Sequence, residues 1–232
     1  MADHQFAAPT GLGTATITAT RTDDTSLTAT CSVTVDYEFV DLGLPSGTLW
    51  ATCNVGASSP EEYGDYFAWG ETSGYNDGKT EFSWSTYKYC DGSYTTQNKY
   101  CTSSRYGTVD GKTELDKSDD AAYVNWGKGW RMPSYTQQTE LRTKCTWSWT
   151  TMNGVKGYNV TGPSGNSIFL PAAGYRSGSD LYYAGSDGSY WTRTLGPDRS
   201  DCAYYLYFYK GYVGWNDGSR YDGQSVRAVR VE

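Results

Sequence analysis

The sequence predicts an α+β fold, on three observations. Its segments read in order as strands, two helices and a second run of strands. Only 19 % of the residues are charged while 27 are Gly, a balance that suits strands and loops better than a helical bundle. Aromatic residues make up 16 %, nine Trp among them. The 232 residues therefore hold one large domain with an aromatic-rich core, or such a domain plus a small appendage.

The elements follow in chain order. Residues 13–35 alternate small and β-branched side chains in two runs around Thr22-Asp23-Asp24-Thr25, the pattern of a β-hairpin. The texture changes at Tyr37. Residues 49–56 (LWATCNVG) and 66–71 (YFAWGE) read as short strands, and 72–112 reads as a long irregular loop with at most one short strand. Residues 116–126 are the first helix candidate, with Asp116 or Ser118 as its cap. Ser134 follows Pro133 and precedes Gln137 by three residues, a capping box that opens the second helix. Lys144 suits the negative pole at its end. The runs 146–151 (TWSWTT) and 155–162 (VKGYNVTG), joined through Asn153-Gly154, predict a tight hairpin. Residues 162–166 (GPSGN) then turn the chain into 167–175 (SIFLPAAGY), a buried strand.

Several function classes are argued against. The formal net charge of −7 opposes nucleic acid and anionic membrane surfaces, both of which call for clustered Lys and Arg. No apolar run reaches the length of a spanning helix. No N-terminal stretch looks like a signal peptide; residues 1–10 read as a start or an expression-tag scar, so that any export signal would lie upstream. The cysteines Cys31, Cys53, Cys90, Cys101, Cys145 and Cys202 lack CxxC spacing. Cys90 and Cys101 are near enough in sequence to bridge, yet buried thiols are the expectation. His4 is the only histidine and lies in the expected tail, which removes Ser-His-Asp and Cys-His catalysis and His-ligated zinc. A carboxylate-only mechanism passes that filter. The chain is read as a non-enzyme with no cofactor and no metal site.

Nearly half of the 22 tyrosines fall between Tyr175 and Tyr221, in a stretch otherwise rich in Asp, Ser and Gly. Tyr offers a large amphipathic face at low entropy cost, while Ser, Asp and Gly offer adaptable hydrogen bonds. A dry core is a poor place for so many phenols, each of which needs a partner. In 203–209 (AYYLYFY), strand alternation puts Tyr204, Leu206 and Phe208 on the core face and Tyr205, Tyr207 and Tyr209 on the other. By the same rule Val213 and Trp215 face inward, and Tyr212, Gly214 and Asn216 outward. The expected binding surface adds Asp180, Tyr182, Tyr183, Asp187, Ser189, Asp198, Arg199, Ser200, Asp201, Asp217, Ser219, Tyr221 and Asp222.

Several motifs resemble known families. Residues 129–141 (GWRMPSYTQQTEL) resemble the "G-x-R-L-P-T-x-x-E-W" helix opening of proteins with the formylglycine-generating-enzyme type of C-type lectin fold. Residues 223–230 (GQSVRAVR) resemble that group's closing strand. Residues 40–52 (VDLGLPSGTLWAT), 190–194 (YWTRT) and 203–208 (AYYLYF) resemble the Bacteroidetes major paralogous domain of the same superfamily, whose members include variable proteins of diversity-generating retroelements. Residues 13–35 resemble the last strands of a group 2 bacterial Ig-like domain. The resemblance implies a partial Ig-like segment over 1–37 and a C-type lectin-like domain over 38–232. It further implies a protein or glycan ligand, display on a cell or phage, and retroelement rewriting of the C-terminal codons.

Other signals carry less weight. Trp215-Asn216-Asp217, with Gly196-Pro197-Asp198 upstream, is similar to the motifs of calcium-dependent lectins. Gly196 lacks the side-chain oxygen that such a site uses, and Tyr204 stands where another acid would help. Formylglycine-generating chemistry needs a late cysteine pair, and only Cys202 follows Cys145. The acidic run 116–120 is explained by helix capping, and Arg131, Arg220, Arg227 and Arg230 by scaffold ion pairs or bonds to loop carbonyls.

Overall fold

The computed structural model describes residues 13–20, 23, 25–26, 28–35, 37–127 and 129–231. The chain divides between Glu38 and Phe39 into two compact units. In the first, β1 (Gly13–Thr20) and β2 (Thr28–Val35) pair antiparallel from Gly13↔Val35 to Thr20↔Thr28, the hairpin that the alternation predicts. Thr22 and Asp24 of the predicted turn lie outside the described residues.

The second unit is mostly strand with two short helices. Its first sheet holds β3 (Phe39–Asp41) and β4 (Thr48–Ala51), and is closed by the last strand of the chain. A long span without regular strands leads to α1 (Ala121–Trp126) and α2 (Tyr135–Lys144). A meander follows of β5 (Thr146–Met152), β6 (Val155–Thr161) and β7 (Ser167–Pro171). Next come the small hairpin β8 (Tyr175–Ser177) with β9 (Asp180–Tyr182), and the sheet β10 (Asp187–Leu195), β11 (Cys202–Tyr209) and β12 (Tyr212–Ser219). Finally β13 (Val229–Val231) pairs with β4.

Local chemistry explains the sharpest features. Asn153 and Gly154 have φ of 47° and 87°, so the pair forms the tight turn that lets Met152 face Val155. The Ser134 hydroxyl accepts from Gln137 N at 3.1 Å, and the Gln137 side chain accepts from Ser134 N at 2.9 Å, completing the capping box. Arg142 and Lys144 stand in the last turn of that helix.

Several expected elements differ: the strand read at 49–56 ends at Ala51, and the one read at 167–175 ends at Pro171. The helix at 116–126 is split: Asp116 precedes a 3-10 turn over Lys117–Asp119 without a side-chain cap bond, and the α-helix starts at Ala121, where Asp120 accepts from Tyr123 N. The fully buried Asp120 carboxylate also takes Met132 N at 3.0 Å and Arg131 Nε at 2.7 Å, so tertiary partners choose the cap. Residues 66–71 make one bridge, Phe67↔Gln224, and no named strand. Their partner is the C-terminal segment rather than a neighbouring run: Phe67 and Gln224 exchange both backbone bonds, and Trp69 N donates to the Arg220 carbonyl.

One core joins these layers. Leu42, Trp50, Leu141, Tyr158, Leu170, Tyr190, Leu206 and Phe208 pack in a single cluster that draws on the three larger sheets and α2. Around it, the irregular span 52–112 is held by two buried arginines. Arg220 Nε donates to Tyr87 Oη at 2.8 Å, and its other nitrogens donate to the carbonyls of Lys99, Tyr100 and Ser200. Arg227 donates to Asn54 Oδ1 and to the carbonyls of Ala51, Thr52 and Phe169. Irregular backbone leaves carbonyls without ladder partners, and a guanidinium with five N–H groups satisfies several at once. This matches the expectation for these side chains. Arg131 holds the Leu115 carbonyl besides Asp120, and Arg230 lies over the Phe39 and Trp130 rings.

The cysteines Cys90 and Cys101 are buried and unbridged. Their thiols donate to the carbonyls of Trp84 and Ser103. Cys31 is exposed, apart from the buried set.

Candidate ligand-binding face

The register of β10–β12 fixes two faces. Opposite residues share a side, so Tyr205 goes with Asn216, Tyr207 with Gly214 and Ser189, and Tyr209 with Tyr212 and Asp187. The reverse side carries Leu206, Phe208, Val213 and Trp215. Phe208 and Leu206 enter the core, and Trp215 stacks on Tyr135 of α2 with centroids 4.1 Å apart. The predicted alternation therefore holds along both strands.

On the outward side the rings form a continuous row. Trp191 meets Tyr205 edge-on at 5.7 Å, Tyr205 meets Tyr207 at 6.2 Å, and Tyr207 meets Tyr209 at 5.8 Å. Tyr209 and Tyr212 stack at 5.2 Å with planes 18° apart. Exposure grows along the row. Trp191 is buried, Tyr205 and Tyr207 are half-buried, and Tyr209 and Tyr212 are 43 % and 44 % exposed. Burial pushes the Tyr205 phenol up to about 12, with Asp222 adding to it. Tyr207 donates to Asp187 Oδ2 at 2.6 Å, and burial together with that bond raises its pKa.

A second group of rings stands beside the row. Tyr175 stacks with Tyr182 at 5.6 Å, and Tyr183, 60 % exposed and at φ 57°, lies 6.1 Å from Tyr175. A left-handed φ on a tyrosine is uncommon and costs energy. Between the two groups runs a groove of about 440 Å³, lined by Tyr175, Tyr183, Tyr205, Tyr207, Asp222 and Gln224 among others. Burial raises the Asp222 carboxyl to about 7, against a lowering bond from Ser177. A second hollow of about 390 Å³ lies beside the exposed end of the row, between Trp149, Tyr209 and the two lysines Lys156 and Lys210.

Not every expected surface residue is placed there. Ser189, at 2 % exposure, sits in the groove floor under Ser225, whose N–H bonds its carbonyl. Gly214 faces outward but is buried, because the Tyr212 ring lies over it: a Cβ there would clash with the Tyr212 hydroxyl. Ser200 and Asp201 are 1 % exposed. The Ser200 hydroxyl accepts from Thr102 N, and Asp201 accepts from Arg199 while its carbonyl takes Arg220 N. They anchor the irregular loop instead of meeting a ligand. Asp217 and Ser219 pair with Tyr204 and Cys202, which puts them on the α2 side. Asp198 and Arg199 are exposed and line a separate depression with Tyr94, Arg105 and Tyr106, at the end of β11 away from Tyr209. Asp180 and Tyr182 are exposed on β9, and Tyr221 packs edge-on against Trp84 at 4.8 Å.

The same geometry bears on the other signals. Asn216 and Asp217 point to opposite sides of β12, so the lectin-like triplet does not converge on one point. Cys202 is buried and its thiol is pushed up to about 12 by burial, with Asp201 adding to it, the reverse of an activated nucleophile.

Sequence reasoning missed Tyr175, Gly218 and Gln224 as groove residues. Tyr175 lies inside the Tyr-rich stretch, and composition alone was enough to find it. Gln224 sits in the run 223–230, which reads as a closing strand, and no local signal separates it from the scaffold. Compared with known proteins, the chain matches no family model, no curated protein and no solved structure.

Proposed function

We propose that this chain is a non-catalytic recognition protein that binds a protein or glycan ligand through the ring row of β11 and β12 and the groove beside it. Residues 38–232 act as a C-type lectin-like domain of the formylglycine-generating-enzyme type, behind a partial Ig-like segment over 1–37. Display is on a cell or phage surface, and a diversity-generating retroelement varies the ring-bearing positions. The observation that carries this reading is the division of labour within one strand. Leu206 and Phe208 are buried in the core, while Tyr207 and Tyr209 between and beyond them face away from it. Side chains on the outer side are thus replaceable with little effect on the core, which a diversified surface requires. A few aromatic anchors ringed by polar groups supply most of the affinity in such interfaces.

An array of glycans and purified cell-surface proteins tests the reading, probed with the parent chain and with Tyr207→Ala/Tyr209→Ala. The expected result is a ligand bound by the parent and weakened about tenfold or more in the variant. Equal binding by both chains refutes the placement of the site. The retroelement part predicts, in the neighbouring DNA, a reverse transcriptase gene and a near-copy of the codons for 175–230 that differs at adenines. A locus with neither removes it.

A further inference from the structure

The geometry points to an arginine side chain of a protein partner as the group received by the groove between Tyr175 and Tyr205, its guanidinium held by Asp222 and Gln224. The inference rests on the recognition reading above and names the chemistry of its central contact.

Three features of the groove converge. First, its walls are rings: Tyr175 and Tyr183 on one side, Tyr205 and Tyr207 on the other. Tyrosine faces attract a planar cation laid against them. Second, the groove offers two acceptors, the carboxylate of Asp222 and the amide oxygen of Gln224. Gln224 is 2 % exposed, lines the groove, and its Oε1 has no hydrogen-bond partner. A buried acceptor left unpaired costs free energy that a ligand donor recovers. Asp222 lies two residues earlier along the same segment and lines the same groove, so one planar fork of N–H groups meets both. Third, no cation of the protein occupies the place. Neither Lys nor Arg lines the groove. Arg176, on the adjacent β8, is turned onto the Tyr75 and Tyr66 rings at 3.3 Å and 5.2 Å.

Other ligands answer fewer of these features. A sugar stacks on tyrosine but leaves the half-buried carboxylate without a counter-charge. A lysine ammonium supplies the charge, yet as a point donor it lacks the planar fork and the flat face that suit Gln224 and the ring walls. The volume of about 440 Å³ accommodates an arginine side chain with its flanking backbone outside. The chain's net charge of −7 favours approach of a basic partner.

Protonation of Asp222 links binding to pH. The groups facing it are Ser177 and Tyr175 from β8, Tyr205 from β11 and, along the groove, Asp187 from β10; none is cationic. With its carboxyl near 7, Asp222 is mostly ionised at pH 8 and mostly protonated at pH 6. A cation that needs the ionised form therefore binds roughly tenfold more weakly at pH 6 than at pH 8.

The test is a titration of the full chain with Nα-acetyl-arginine amide, followed by the amide resonances of 175–189 and 216–224. Parallel arms use the neutral isostere Nα-acetyl-citrulline amide, Nα-acetyl-lysine amide and spermidine. The expected result is saturable millimolar binding of the arginine derivative, stronger than each of the other three and about tenfold weaker at pH 6. Asp222→Asn should abolish both the binding and its pH dependence. Gln224→Leu, which removes the unpaired acceptor and so spares the fold, should weaken it severalfold. Equal binding of citrulline, tighter binding of spermidine or lysine, unchanged binding by Asp222→Asn, or no binding of the arginine derivative each overturns the inference. None of these results touches the recognition reading, which falls only if the ring row proves dispensable for the array ligand.

Discussion

The span 52–112 and the outward face of β10–β12 both lie outside the main core cluster, yet they are built on opposite principles. In the irregular span, backbone carbonyls that no strand ladder pairs are satisfied by buried arginines. Arg220 and Arg227 reach from the C-terminal segment and close carbonyls contributed by several loops. On the sheet face the rings are half-exposed or exposed and lean mainly on one another. The first region gains order from bonds that nothing else can replace. The second carries area that folding does not consume. Buried support and exposed ring area are thus separated by side of the chain, even within the 48 residues from Tyr175 to Asp222.

The largest effect expected is in the first region. Arg227→Met leaves Asn54 Oδ1 and three carbonyls without their donor, and should cost about 3–5 kcal/mol in chemical denaturation. A loss below about 1 kcal/mol would mean that water or neighbours satisfy those groups, and the contrast would lose its first term. An intermediate effect belongs to the boundary. Tyr205 packs on buried Trp191 and its ring comes within 3.0 Å of a Cβ built at Gly218. Tyr205→Ala should therefore cost about 1–2 kcal/mol. A neutral Tyr205→Ala would extend the replaceable face one position inward; a cost matching Arg227→Met would move the boundary the other way.

How much of this was legible in the sequence depended on whether the determining contact was local. The capping box at Ser134 and Gln137 and the Asn153-Gly154 turn involve atoms three residues apart or fewer, and both stand as read. The two sides of β11 and β12 follow from pleating alone, so the stripe Tyr205, Tyr207, Tyr209 was readable as well. Where partners are remote, the reading failed. Asp120 replaces Asp116 and Ser118 as cap because Arg131 and Met132 claim its carboxylate. Ser200 and Asp201 look like solvent-facing loop residues, and are buried because Thr102 and Arg220 dock on them. Gly214 alternates outward as expected, but the ring of Tyr212 covers it. Gln224 pairs its backbone with Phe67 across the fold while its side chain, with an unpaired Oε1, lines the groove.

The central claim is that the exposed rings are spare to folding. Chemical denaturation of Tyr207→Ala/Tyr209→Ala/Tyr212→Ala beside the parent tests it most directly. The account predicts an unfolding free energy within about 1 kcal/mol of the parent, with an unchanged slope against denaturant. A loss of about 3 kcal/mol or more would show the rings to be part of the core's support, and would contradict it.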